Sequence, residues 1–153
     1  MNVYSYMDKN ESSYSSSLSM NSKRSLCLIS PSLKMGGIER SLVTLADYFS
    51  LMGYRVTFIS CLANDTFYKL DSRVELYEPG FKHTNGLLSK LAFYPRIVLF
   101  LRRTVKMISP DAVLVFGDLF SSIVLLSLKG LKYPVYISDR TSPNFALRPL
   151  LRI

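Results

Sequence analysis

Three short stretches carry residues that could hold or react with a ligand: Lys34-Met35-Gly36-Gly37-Ile38-Glu39, Gly117-Asp118, and Asp139-Arg140-Thr141-Ser142. At Gly36 and Gly37 the missing β-carbons let the backbone approach a ligand closely. If a helix follows, its free amides and about half a positive charge favour an anion such as phosphate. Glu39 supports a different reading, because a carboxylate in the first turn satisfies that helix end by itself and leaves a capped turn. Asp118 can accept a proton or bind a sugar hydroxyl, or else cap a helix beginning at Leu119. Arg140 suits bidentate phosphate recognition, or a salt bridge to Asp139 or Asp118. His83 is the single histidine. It lies between Lys82 and Asn85 in a polar loop, and no Ser/His/Asp or paired-carboxylate set assembles around it.

The common phosphate motifs are absent. The adjacent glycines do not make G-x-G-x-x-G, and no GxxxxGK[ST] occurs, which argues against a dinucleotide dehydrogenase and a P-loop NTPase. Cys27 and Cys61 have no CxxC or metal-type spacing, so they read as free thiols in buried strands, and no metal site is expected. A reducing cytoplasm is the simplest compartment for them.

The elements that must position these residues follow from periodicity. Residues 25–31, SLCLISP, form a short apolar run that reads as a strand. In 38–52, Ile38, Leu42, Leu45, Ala46, Phe49 and Met52 recur at steps of three and four, which predicts a helix with one buried face, stopped by Gly53. Residues 54–61, YRVTFISC, predict a second strand, and 74–77 a third. The stretch 87–108 is helical, apolar and basic, and Pro95 inside it predicts a kink or two helices. Residues 111–116, DAVLVF, fit a strand buried on both faces, followed by a helix to about 129–130 and a strand at 135–138.

Strands alternating with helices predict an α/β fold, a Rossmann-like doubly wound parallel sheet in the order 3-2-1-4-5. Ligands bind such sheets beyond the carboxyl ends of the strands, where the order reverses between the first and fourth. The three polar stretches fall on strand ends there.

The net charge is +8 over 153 residues. Between Pro79 and Pro110 stand Lys82, Lys90, Arg96, Arg102, Arg103 and Lys106, with no Asp or Glu. The segment reads either as a solvated helix face or as a surface drawn to anionic lipid or phosphate. It is too often interrupted by charge for a span of ~20 apolar residues, while an interfacial helix is compatible with it. Nucleic acid is not expected, since no helix-turn-helix, zinc or RNA-binding aromatic motif accompanies the charge. Residues 1–23, rich in Ser, Tyr and Asn and without apolar periodicity, read as a disordered tail that does not look like a secretory signal.

The stretch LCLISPSLKMGGIERSLVTLADYFSLMGYRVTFIS resembles the first strand, glycine loop, first helix and second strand of family 4 glycosyltransferases, with Gly36-Gly37-Ile38-Glu39-Arg40 similar to their GG-x-E-[RK]-like signature. YISDRTSP is similar to an S-x-R-[NT]-x-P-like segment of members that build bacterial surface polysaccharides, and PDAVLVFGD has the expected position between them. The resemblance covers about 23–143. It implies the N-terminal, acceptor-side half of a GT-B fold over 24–153, with the C-terminal donor-binding domain absent. It also implies retaining transfer from a nucleotide-sugar donor to a glycan or lipid-linked acceptor, with no cofactor or required metal. By the same resemblance Gly36 and Gly37 approach the donor phosphates or the transferred sugar, and Arg140 and Ser142 lie near the acceptor or a phosphate. Asp118 stands where some members have a His. The expected protein is cytoplasmic, held at the inner face of the membrane by residues 82–106, and completed by a C-terminal half that could be a separate chain. A non-catalytic Rossmann-like binding module or a split-enzyme subunit is the alternative.

Overall fold

The structure, a computed structural model, describes residues 24–62, 66–81 and 87–138, with the side chains of 87–91 and 118–119 outside that set. The residues expected to form a tail, 1–23, lie outside the described residues, as do Lys82, His83, Arg140 and Ser142.

Eight elements follow one another: β1 (Ser25–Ser30), α1 (Gly37–Leu51), β2 (Arg55–Ser60), β3 (Glu75–Tyr77), α2 (Leu87–Ile108), β4 (Ala112–Phe116), α3 (Asp118–Leu128) and β5 (Val135–Ser138). The strands form one parallel sheet in the order β3-β2-β1-β4-β5, as the alternation predicts. Strand β1 is central, with Cys27 facing Thr57 on β2 and Val113 on β4.

Because successive strand side chains point to opposite faces, β1 feeds two cores. Leu28 packs with Val56 and Phe58 against Leu42, Val43 and Ala46 of α1. Cys27 and Ile29 pack with Ile59, Val113 and Val115 against Ile97, Leu101 and Val105 of α2 and Val124 and Leu128 of α3. The result is a three-layer sandwich with both sheet faces covered, the environment that continuous apolar strands require.

Local sequence explains the boundaries. Helix α1 ends in a Schellman motif. Gly53 adopts φ +85°, its amide donates to the Ser50 carbonyl, the Tyr54 amide donates to the Phe49 carbonyl, and the Phe49 and Tyr54 rings meet edge to face at 5.2 Å. Met52, expected on the buried face, is the cap residue just past the helix and is 46% exposed, while Val43 and Ser50 are buried instead. At the same end of the sheet, Asp111 accepts hydrogen bonds from the Ser25 amide (2.6 Å) and hydroxyl (3.0 Å), tying the start of β1 to the start of β4.

Pro95 does not divide α2 into two helices, since a single helix runs through it. The proline is on the exposed side, clear of Ile97 and Leu101, which are packed into the core. Arg102 reaches from α2 to the end of α3 and donates to the carbonyls of Ser127 (3.0 Å) and Lys129 (2.8 Å). One cation of the basic segment therefore serves to cap a helix C-terminus.

Candidate functional site

Strand order reverses at β1 and β4, and the loops leaving their carboxyl ends start α1 and α3. Two helix N-termini are thereby placed side by side. The contact between them is specific: a β-carbon on Gly117 would stand 3.5 Å from Ile38 Cδ1. Gly117 has φ +100° and ψ 142°, a region open almost only to glycine. Its amide donates to the Ser138 carbonyl at 3.1 Å, joining the β4 end to the β5 end, and its carbonyl accepts the Ser121 hydroxyl. Gly117 is the cap residue of α3 and Asp118 the first helical residue, so Asp118 is not the cap of a helix beginning at Leu119. The Asp118 side chain lies outside the described residues.

The glycine loop is built in layers. The Ser30 hydroxyl, buried at the end of β1, donates to the Ser32 carbonyl at 2.8 Å. The Ser32 hydroxyl, 7% exposed, donates to Glu39 Oε1 at 3.4 Å. The Phe67 and Tyr68 amides both donate to the Leu33 carbonyl, and the Tyr68 hydroxyl donates to the Gly36 carbonyl at 3.2 Å. That same carbonyl accepts the Arg40 amide at 3.0 Å, the first bond of the α1 ladder.

The two glycines divide the work. Gly36 is extended, with φ −168° and ψ 160°, a conformation any residue adopts. A β-carbon there would overlap Glu39 Oε2, so a side chain at this position requires the carboxylate to swing aside. Gly37 is exposed, and a β-carbon on it would meet nothing within 4 Å. Gly36 accommodates the protein's own carboxylate, and Gly37 is the open position of the loop.

Ser30, Ser32 and Tyr68 are absent from the residues the sequence singles out. The local sequence gives no reason to pair Tyr68 with Gly36 across 32 positions; the sheet brings them together. Both cysteines are free and buried, and loss of hydration pushes the Cys27 thiol up to about 12 and the Cys61 thiol further up. They belong to the core under α2, with Cys61 one residue past the end of β2. Among the described residues no group of His, Cys, Asp and Glu side chains gathers in a way that could hold a metal ion. No described helix is long and apolar enough to cross a membrane.

A doubly wound parallel sheet with two helix N-termini at its switch point is the architecture of one Rossmann-like half of GT-B glycosyltransferases, and solved members share it. MurG of Acinetobacter baumannii superposes with a TM-score of 0.56 at 15% identity, over 86% of this chain and 40% of that one. LpCGTa, solved in complex with UDP, superposes with a TM-score of 0.54 at 15% identity, over 79% of this chain and 31% of that one. In sequence, the chain is 29% identical over 124 residues to a Campylobacter jejuni enzyme, GalNAc-alpha-(1->4)-GalNAc-alpha-(1->3)-diNAcBac-PP-undecaprenol alpha-1,4-N-acetyl-D-galactosaminyltransferase. The match takes in 81% of this chain and 34% of that enzyme, so the chain spans about a third of the length of this curated relative. No protein-family profile matches the chain.

Proposed function

We propose that this chain is the acceptor-side, N-terminal part of a retaining glycosyltransferase of the family 4 kind, which moves a sugar from a nucleotide-sugar donor to a lipid-linked glycan. The observation that carries this reading is the Gly36-Gly37 loop standing at the sheet's switch point beside Gly117, in a chain whose relative transfers N-acetylgalactosamine to an undecaprenol-linked glycan. In the complete enzyme the open side of Gly37 faces the reaction centre. Asp118, on the first turn of α3, and Arg140 and Ser142, past β5, contribute acceptor or phosphate contacts from the neighbouring strand ends. A retaining transfer needs electrostatic stabilisation of the leaving diphosphate while the acceptor hydroxyl attacks from the same face. The cationic groups for that step belong to Arg140 and to the donor-binding half.

The outward face of α2 supplies the setting. Arg96, Leu99, Arg103, Lys106 and Met107 are exposed on one stripe of the helix, and none of the three cations forms an ion pair with a described carboxylate. A stripe mixing basic and apolar side chains suits the surface of an anionic leaflet, where a lipid-linked acceptor resides. On this reading the protein works in the cytoplasm at the inner face of the membrane.

Transfer from a UDP-linked N-acetylhexosamine to an undecaprenyl-diphosphate-linked glycan is the direct test, run with this chain alone and together with the polypeptide encoded downstream. Activity only in the second mixture supports the reading. No transfer in either, with both polypeptides folded, leaves a non-catalytic binding module.

A further inference from the structure

Residues 66–74, which lead into β3, contain no helix or strand and leave a cavity of about 380 Å³ against the margin of the sheet. That volume is in the range of small-molecule sites, roughly 300–1,000 Å³. The floor is apolar. Val74 and Leu76, two positions apart, share the α1 side of the sheet, where Val74 and Leu33 are core residues and Leu70 packs on them. Leu76 is 42% exposed, so the core is uncovered where the cavity lies. The rim is polar: Thr66, Lys69 and Ser72 line it, and among the described residues their side chains form no hydrogen bond or ion pair.

Both ends of this wall are fixed in advance. At one end the Phe67 and Tyr68 amides donate to the Leu33 carbonyl, and the Tyr68 hydroxyl donates to the Gly36 carbonyl. At the other the Asp71 amide donates to Asp47 on α1 at 3.1 Å, and Arg73 Nε and Nη2 donate to the Asp71 carboxylate at 2.8 and 2.9 Å. A preformed site avoids part of the ordering cost of binding. Leu33 and Tyr68 line the cavity and also hold the glycine loop, so the cavity adjoins that loop.

Resting on the transferase reading, we propose that this cavity is an acceptor-glycan site, which takes an N-acetylhexosamine unit behind the sugar that reacts. An acetamido sugar carries an apolar methyl group beside a ring of hydroxyls. The methyl group suits the Leu70, Val74 and Leu76 floor, Lys69 donates to sugar oxygens, and the Thr66 and Ser72 hydroxyls both donate and accept. A phosphate would meet Lys69 alone, because Arg73 is held by Asp71. A bare polyprenyl chain would strip water from the rim groups without replacing their hydrogen bonds.

The chain is titrated with the methyl glycoside of an N-acetylhexosamine disaccharide, read from the amide signals of Lys69, Leu70, Ser72 and Leu76 in nitrogen–proton correlation spectra. Saturable shifts are expected at millimolar concentration. The analogue with hydroxyls in place of both acetamido groups is expected to bind at least about fourfold more weakly. Lys69→Ala, at an exposed position, is expected to weaken binding about tenfold, and Leu76→Ser several-fold. The same spectra report whether each variant is folded. Signals of the folded chain that stay in place at about 10 mM disaccharide overturn the proposal. So do equal binding of the two sugars, unchanged binding in both variants, or farnesyl phosphate that displaces the disaccharide at lower concentration. Because the titration needs no sugar transfer, its failure leaves the transferase reading standing, and a chain that binds the disaccharide but transfers in no mixture fails that reading alone.

Discussion

The δ-carbon of Ile38, in the first turn of α1, stops 3.5 Å from where a β-carbon on Gly117 would stand. Residues 79 positions apart thus bring together two helix starts that cover opposite faces of the sheet. Backbone conformation requires glycine at this point, whereas the contact with Ile38 would be an ordinary van der Waals one. Gly117→Ala is expected to cost about 1–3 kcal/mol, mainly from forcing a side chain into a glycine-only region. Urea denaturation measures it, and a loss under about 0.5 kcal/mol would show that the conformation is not constrained.

Gly37 and Gly36 should respond oppositely to the same change. Gly37→Ala meets open space at the first helical position, so stability should hold or rise by up to about 1 kcal/mol. Gly36→Ala must push the Glu39 carboxylate aside and should lower the melting temperature. In the completed enzyme, Gly37→Val should abolish transfer while leaving unfolding cooperative. Retained transfer would reduce the loop to a turn.

Arg102 and Arg103 are neighbours with separate roles. Arg102→Ala removes two hydrogen bonds to the carbonyls that end α3 and should destabilise by about 1–2 kcal/mol. Arg103→Ala, on the exposed stripe, should stay within about 0.5 kcal/mol. The order reverses for lipid: Arg96→Gln, Arg103→Gln and Lys106→Gln should each weaken binding to phosphatidylserine vesicles by on the order of 1 kcal/mol. Flotation that is indifferent to anionic lipid content would remove the membrane role.

Asp111 should make a pH-dependent contribution at the β1–β4 start. The Ser25 amide and hydroxyl favour its charged form and hold its carboxyl below the usual range. A depressed folded value means that the stabilisation is complete above the unfolded value, near 3.9, and is lost as pH falls through the folded one. Asp111→Asn should therefore be less stable than wild type at neutral pH, with the gap closing below about pH 4. Denaturation midpoints that keep a constant gap down to pH 2 would contradict the assignment.

The thiols of Cys27 and Cys61 should be inert in the native state. Both are buried in the core under α2, with their protonated forms favoured by burial. Iodoacetamide at pH 8 should modify neither until denaturant is added, as read by intact mass. Rapid labelling of the native chain would mean that this core opens.

The local sequence was enough for most of what depends on neighbours along the chain. Apolar runs in 25–31, 54–61 and 111–116 and the threefold and fourfold steps after Ile38 dictate strands and a helix. Alternation of these elements confines the sheet to a parallel, doubly wound order, which the structure has. Gly53 shows why this works: the hydrogen bonds that stop α1 join residues at most five positions apart.

What the sequence left open concerns groups far apart in the chain, where no periodicity applies. Gly36 and Gly37 are equivalent as letters, and only the folded loop gives one to the Glu39 carboxylate and leaves the other open. Tyr68 comes to the loop only because β2 and its exit segment lie beside β1. Arg102 counts as surface charge in the sequence until α3 packs near enough for its guanidinium to meet two free carbonyls. Pro95 predicts a break, yet the helix continues, because burial of Ile97, Leu101 and Val105 in the core offsets the hydrogen bond that proline cannot make. Periodicity identifies the face an element must bury; the partner that comes to lie against it, and hence the job of each polar side chain, is set only when the distant elements pack.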